Sequence, residues 1–416
     1  MRQALVALSS VHLGGYAGGS GGADNGEPLQ QYGKALTALQ RRLGAGKQET
    51  DGQGRERTAM ICCVLFYCFE SALGESEGAM RHLENGLKIL ESIRERQYVC
   101  RDGEGVKGVG MEAREDDIAE MLARLDLQAT MFDDNRAPSL ALVSVSEREA
   151  GISELGIGPS AAGEDSAEAF CSLEAAYRAL NRLQNWLFRF LGENVGFKGL
   201  LWEQIPSHVR AEKAQLVRDY ARWGMMFEAF RGKSGEMSNG EKILGVQHRV
   251  TQLLLESTLP DDTSTFGFDS SAWSLLKGIE DVLRSSGDGD EQSGLQCRSF
   301  SSETGVVAPL FLLAVKCSDG HVADKAAALL AACGRREGLY DAQVMAGVLQ
   351  KMCAVREEKV RDLERSILGG KLEGGLEEEP GKEPEGRLRV PLEIWASDLV
   401  DSRIGGFGAI GDGLTI

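Results

Sequence analysis

Apolar residues recur at helical spacing along nearly the whole chain, and this pattern sets the fold expectation before any motif does. Leu5, Leu8 and His12 share a face within residues 1–13, and Gly14 to Gly26 then forms a glycine-rich loop. Tyr32, Leu36, Leu39 and Leu43 make the next stripe, with Arg41 and Arg42 opposite and a stop at Gly44-Ala45-Gly46. From Thr58 to Leu73 the chain is apolar on every side, as in a fully buried helix. After the short link Gly74 to Glu77 come Met80, Leu83, Leu87, Leu90 and Ile93, with Arg81, Glu84, Lys88 and Glu91 turned to water. So short a connection predicts an antiparallel αα-hairpin.

The same spacing continues through Ile118 to Leu127, Phe170 to Phe190, Val209 to Phe230, Val246 to Leu255 and Trp273 to Leu283. Pro309 to Lys316, Val322 to Cys333 and Leu339 to Ile367 predict the last three helices. Leu140 to Val145 is the best strand candidate, and it is brief. The expected fold is therefore all-α, a multi-helix bundle of stacked antiparallel helix pairs with long disordered loops. The loops are expected at about 14–26, 44–57, 99–113, 133–168 and 284–304, where Gly, Ser and acidic residues gather. Residues 1–367 read as one helical domain, and 368–416 as an acidic low-complexity linker and C-terminal tail holding Glu377-Glu378-Glu379-Pro380 and Trp395.

Composition narrows the function classes. The 416 residues carry 46 Lys and Arg against 63 Asp and Glu, so a net charge of −17 repels phosphate backbones and direct DNA binding by this chain is not expected. Nine cysteines, an odd number placed mostly in apolar stretches, predict reduced thiols and an intracellular protein. The apolar opening Ala4 to Leu8 breaks at Ser9-Ser10, short of the ~7 to 15 residues of a signal peptide core. The longest apolar run, Ala59 to Phe69, falls far below the ~18 residues of a membrane span. No membrane partner is expected.

Strings that imitate reactive motifs lack the setting that would make them work. Gly103-Glu-Gly105-Val-Lys-Gly108 and Gly406-Phe-Gly408-Ala-Ile-Gly411 spell a dinucleotide fingerprint, but neither follows a strand that would aim a turn and a helix N-terminus at a pyrophosphate. Gly232-Lys233-Ser234 ends like a phosphate loop whose leading glycine is replaced by Phe227. Gly18-Gly-Ser20-Gly-Gly22 fits a nucleophile elbow only as letters, within a glycine run. Cys62, Cys63 and Cys68 read as small hydrophobes on a buried helix rather than zinc ligands, and the five histidines share no ligand spacing. His82 with Glu84, or Asp126 between Leu125 and Leu127, are the residues that would attract an acid–base reading, but no catalytic constellation surrounds them. No catalytic, metal or cofactor site is expected, and no enzyme.

The succession of helices resembles a known family. Ala4-Leu-Val-Ala-Leu-Ser-Ser-Val-His12, then Gln31-Tyr-Gly-Lys-Ala-Leu36 with Leu39 and Leu43, is similar to the start of the fungal-specific transcription factor domain of the binuclear zinc-cluster regulators. Thr58 to Glu70 with Gly74, Ala79-Met-Arg-His-Leu83 and Gly86-Leu-Lys-Ile-Leu90 resemble that family's buried helix and its hairpin partner. Arg124-Leu-Asp-Leu-Gln128-Ala-Thr-Met-Phe132 resembles the next helix. Ala308-Pro-Leu-Phe311, Lys316-Cys317, Ala326 to Leu330 and Arg335 to Asp341 resemble the closing ones. The family's six-cysteine zinc module and basic linker have no counterpart in the sequence. The resemblance implies a nuclear regulatory domain that acts through partners of the transcription machinery, a homodimer partner or a small-molecule effector. The alternative is a helical scaffold or adaptor that binds partner peptides in a groove and has no transcriptional role.

Overall fold

The computed structural model describes residues 1–16, 26–44, 52–101, 112–132, 136–152, 169–197, 200–232, 237–259, 267–285, 299–317 and 319–371. Helix takes 82% of these residues, which makes the fold all-α. In chain order the helices are α1 (Arg2–Tyr16), α2 (Gly26–Gly44), α3 (Gly52–Leu73), α4 (Ser76–Arg101), α5 (Glu112–Phe132), α6 (Val145–Ala150) and α7 (Leu173–Glu193). They continue as α8 (Ser207–Arg231), α9 (Asn239–Ser257), α10 (Gly267–Ser285), α11 (Val307–Lys316), α12 (Gly320–Ala332) and α13 (Ala342–Lys371). Short 3-10 turns at Val195–Phe197 and Trp202–Gln204 lie between α7 and α8. Three short strands, β1 (Ser299–Ser301), β2 (Arg335–Glu337) and β3 (Tyr340–Asp341), complete the order. Among the described residues no helix is long and apolar enough to cross a membrane.

The expected α3–α4 hairpin forms. Glu70 lies beside Gly78, Cys63 beside Gly86 and Glu56 beside Arg96, so one helix runs down as the other runs up. Gly74 makes the turn at φ +90°, a backbone state that a side chain would strain. The face that α4 turns inward, Ala79, Leu83, Leu87 and Leu90, packs with Met60, Val64 and Tyr67 of α3 and with Leu122 and Leu125 of α5. At the other side of α3, Ala4, Ala35, Cys62 and Phe66 join α1 and α2 to the same layer. Trp186, Tyr220 and Trp223 centre a second core between α7 and α8. A third core gathers α9 to α13. Phe132 packs against both the first and third of these, so the end of α5 is shared between them.

Several elements start or stop away from the periodicity. Helix α3 begins at Gly52 rather than Thr58, because the Thr58 hydroxyl donates back to Gly54 O at 2.7 Å and Glu56 pairs with Arg96 of α4 at 2.6 Å. Helix α1 runs to Tyr16, α2 starts at Gly26, α4 reaches Arg101 and α5 starts at Glu112, each extending into an expected loop. The expected loop 133–168 is ordered at 136–152 and holds α6, which a capping box of Ser144 and Glu147 starts. Leu140 to Val145 forms no strand; the Asn185 amide instead accepts from Leu142 N at 3.0 Å and donates to Leu140 O at 2.8 Å. The expected loop 284–304 contains the last turn of α10 and β1. Leu339 to Asp341, expected at the start of a helix, belongs to a hairpin, because Asp341 Oδ1 accepts from Gln343 N and Val344 N and starts α13 only at Ala342. The tail beyond Lys371, and residues 17–25, 45–51, 102–111, 133–135, 153–168 and 286–298 of the expected loops, lie outside the described residues.

The strands are too short for alternation to show in sequence, yet they tie distant helices together. Strand β1 pairs in parallel with β2, Ser301 opposite Glu337, and β2 pairs antiparallel with β3. The Glu337 side chain turns inward and its carboxylate accepts from Gly305 N, Val306 N and Val307 N at 2.9, 3.0 and 2.9 Å. These are the otherwise unmatched amides at the start of α11, where a helix dipole also favours negative charge. Burial raises the Glu337 pKa, and the three amides oppose that rise. From α5, Gln128 donates to Thr304 Oγ1 at 3.2 Å and accepts from Tyr67 at 2.8 Å. Gly338, at φ +55°, leaves the space that Gln128 occupies. Arg336 completes the tie by pairing with Asp341 at 2.6 Å and donating to Ser71 O at 3.2 Å.

His248 of α9 illustrates a polar group spent on packing. It stacks on Trp223 at 4.4 Å, and its Nε2 donates to Tyr220 O at 3.0 Å. Burial pushes its pKa down to about 4. The folded state thus holds fewer protons than the unfolded chain between about pH 4 and 6.5, and the stability this contributes is full above about pH 6.5 and is lost as pH falls toward 4.

Two outcomes follow. Glu337→Gln puts an amide nitrogen against N–H donors and is expected to lower unfolding free energy by about 2–3 kcal/mol in urea titrations. The exposed Glu357→Gln should stay within about 0.5 kcal/mol. Between about pH 7 and pH 5 the native chain is expected to lose about 2 kcal/mol through His248, and His248→Gln to lose that much less over the same range, whatever its absolute stability.

Candidate functional site

The residues singled out in the sequence serve structure. His82 does not meet Glu84, which is exposed on the far side of α4. It meets Tyr32 of α2: the Tyr32 hydroxyl donates to Glu70 Oε1 at 2.5 Å, and His82 Nε2 lies 2.8 Å from the Tyr32 hydroxyl oxygen. Tyr32 also stacks on Phe69 at 4.4 Å, so the cluster fastens α2 to the α3–α4 hairpin. Burial, then the hydrogen bond to Glu70, raises the Tyr32 pKa, and burial lowers that of His82. Asp126 is buried and wholly engaged, pairing with Arg136 at 2.5 Å and accepting from Leu140 N at 2.9 Å. It holds residues 136–140 against α5.

Cys62, Cys63 and Cys68 all lie in the core, and burial pushes the Cys63 and Cys68 thiols up to about 11. Such thiols are poor nucleophiles and poor metal ligands at neutral pH. Among the described residues no three His, Cys, Asp or Glu side chains are grouped to hold a metal. Phe227, the residue that stands in the phosphate-loop glycine position, packs against Trp223 in the second core. The strings 18–22, 103–108, 233–234 and 406–411 lie outside the described residues.

A pocket that no sequence pattern marked opens where α5, α7 and α9 meet the link between β1 and α11. Helix α5 contributes Arg124, Leu127 and Met131, α7 contributes Tyr177, Asn181 and Gln184, and α9 contributes Gln247, Val250 and Thr251. Residues 302–304 and Pro309 form the remaining wall. The Tyr177 hydroxyl donates to Glu303 Oε2 at 2.6 Å, Arg124 Nε lies 3.8 Å from Glu303 Oε1, and the Arg124 guanidinium sits over the Tyr177 ring at 5.4 Å. Burial, followed by the charge of Glu303, raises the Tyr177 pKa. Asn181 lies near enough to Tyr177 to oppose that rise, yet its Nδ2 is buried with no hydrogen-bond partner. The room enclosed is about 20 Å³, enough for about one water. It is suited to binding, and a larger occupant has to displace part of the wall.

Comparison with known proteins bears on what such a fold serves. The chain is 28% identical over 260 residues to the aspercryptin biosynthesis cluster-specific transcription regulator atnN of Emericella nidulans, and so is similar to a transcription regulator. The match covers 61% of this chain and 39% of that relative, so the chain spans well under half of the relative's length. No protein family description matches the chain, and no solved structure matches it.

For the residue most open to an acid–base reading, the geometry predicts a structural phenotype. Asp126→Ala leaves Arg136 and the Leu140 amide without their partner and is expected to cost about 3–5 kcal/mol. Denaturant titration, with faster hydrogen exchange at Leu140, checks this.

Proposed function

We propose that the chain is the helical regulatory domain of a transcription regulator of the fungal zinc-cluster type, acting in the nucleus through protein or small-ligand binding. The similarity to a cluster-specific transcription regulator carries this reading. The order of the helical strings between Ala4 and Asp341 supports the finer assignment to the fungal-specific transcription factor domain. The charge of −17 supports a role apart from contact with DNA phosphates. Partners of the transcription machinery or a second copy of the chain, together with a small-molecule effector, fit this role, and no cofactor is required.

Fused whole to a heterologous DNA-binding domain, the chain is expected to change transcription of a reporter carrying that domain's site, and the tagged chain to collect in the nucleus. An unchanged reporter, with the tagged chain confined to the cytoplasm and absent from chromatin, would instead establish the scaffold reading.

A further inference from the structure

We propose that the pocket between α5, α7 and α9 takes a small carboxylic acid with an apolar body, whose carboxylate occupies the place that Glu303 now holds between Tyr177 and Arg124. Two buried donors at the pocket lack a well-formed hydrogen bond. Asn181 Nδ2 is buried and unbonded in a residue only 8% exposed. Arg124 Nε is buried and forms no hydrogen bond, its ion pair with Glu303 spanning 3.8 Å. Each buried donor left unmade costs about 1–3 kcal/mol, so folded chains seldom retain two in one place unless water or a ligand completes them. The excess is of donors, which calls for an occupant rich in acceptor oxygen.

Glu303 shows what that occupant is. Its carboxylate reaches in from the rim on a side chain 46% exposed, where it neutralises Arg124 and takes the Tyr177 proton donor. The chain on the far side of it is fastened. Gln247 donates to Thr304 O at 2.6 Å, Gln128 donates to Thr304 Oγ1, and Glu337 accepts from Gly305 N. Rotation of the Glu303 side chain into solvent therefore opens the pocket without disturbing the backbone after it. What it leaves is a lining that combines a positive charge, a phenol and side-chain amides with the apolar Leu127, Met131, Val250 and Pro309. A planar carboxylate matches the polar groups and an apolar body the rest. Because the closed form holds about one water, the acid binds only the fraction of molecules in which Glu303 has swung out, and its apparent affinity falls by that fraction.

The inference deepens the ligand-binding part of the regulatory reading and rests on it, but binding is measured on the purified full chain, apart from any reporter. Benzoate serves as the probe and benzamide as its uncharged match in shape, followed by calorimetry and by shifts of protein NMR signals. Benzoate is expected to saturate the native chain and to bind Glu303→Gln about 10-fold more tightly, since the internal competitor is lost. Arg124→Gln should weaken it by at least about 10-fold, and benzamide should bind much more weakly than benzoate to every form. Should Arg124→Gln not fold, Tyr177→Phe keeps the ring, removes one donor and is expected to weaken benzoate several-fold. Equal binding of benzoate and benzamide, no gain in Glu303→Gln, or no saturable benzoate binding to either chain overturns the proposal. Benzoate binding beside a silent reporter removes the regulatory reading alone, and an active reporter without benzoate binding removes the ligand alone.

Discussion

The fold depends on a carboxylate that has left water to satisfy three backbone amides. Glu337 sits in a strand of three residues, too short to be stable by its own ladder, and faces the first turn of α11. Neither partner could be buried alone, since the amides would be orphaned and the carboxylate stripped of its hydration. Together they fix the β hairpin against α11. Gln128 then joins that hairpin to α5, and Arg336 joins it to the end of α3. Helices far apart in sequence thus meet at a polar node with defined geometry, where apolar packing alone would allow them to slide.

The pocket is a consequence of the same node. Its outer wall is the link from β1 to α11, and the hydrogen bonds that hold Thr304 and Gly305 are those that hold the hairpin. Three helices converge there without filling the space. Thr251 turns its hydroxyl to its own helix, donating to Gln247 O at 2.8 Å, and Met131 is shared with the third core. Asn181 Nδ2 and Arg124 Nε are left there without a hydrogen bond.

Much of the helical content was legible because burial on one side of a helix leaves a spacing that needs no partner to be recognised. The α3–α4 hairpin is the clearest instance, where a short link and two apolar faces leave a single way to pack. The cysteines of α3 were also legible as core, from their apolar neighbours. What escaped was whatever depends on pairs far apart in the chain. Arg124 and Glu303, Tyr67 and Gln128, or Glu337 and Val307 carry no local signature, and strands of two or three residues carry no period. Some signal went unread: Ser144 with Glu147 and Ser238 with Glu241 are capping boxes at the starts of α6 and α9, and both are visible as Ser-x-x-Glu. Glu84 is the neighbour of His82 in sequence, whereas Tyr32 and Glu70, which cluster with it in the fold, are far from it along the chain.

The distribution of charge argues for recognition over reaction. Catalysis requires a titratable group held in reserve, near a substrate and unsatisfied until the substrate arrives. Among the described residues three buried titratable groups are already engaged: Asp126 by Arg136 and Leu140 N, Glu337 by three amides, His248 by Tyr220 O and the Trp223 ring. The groups held in reserve are amides and a guanidinium, which bind oxygen but move no proton at neutral pH. Groups of this kind suit binding, and the similarity to a transcription regulator agrees with that chemistry.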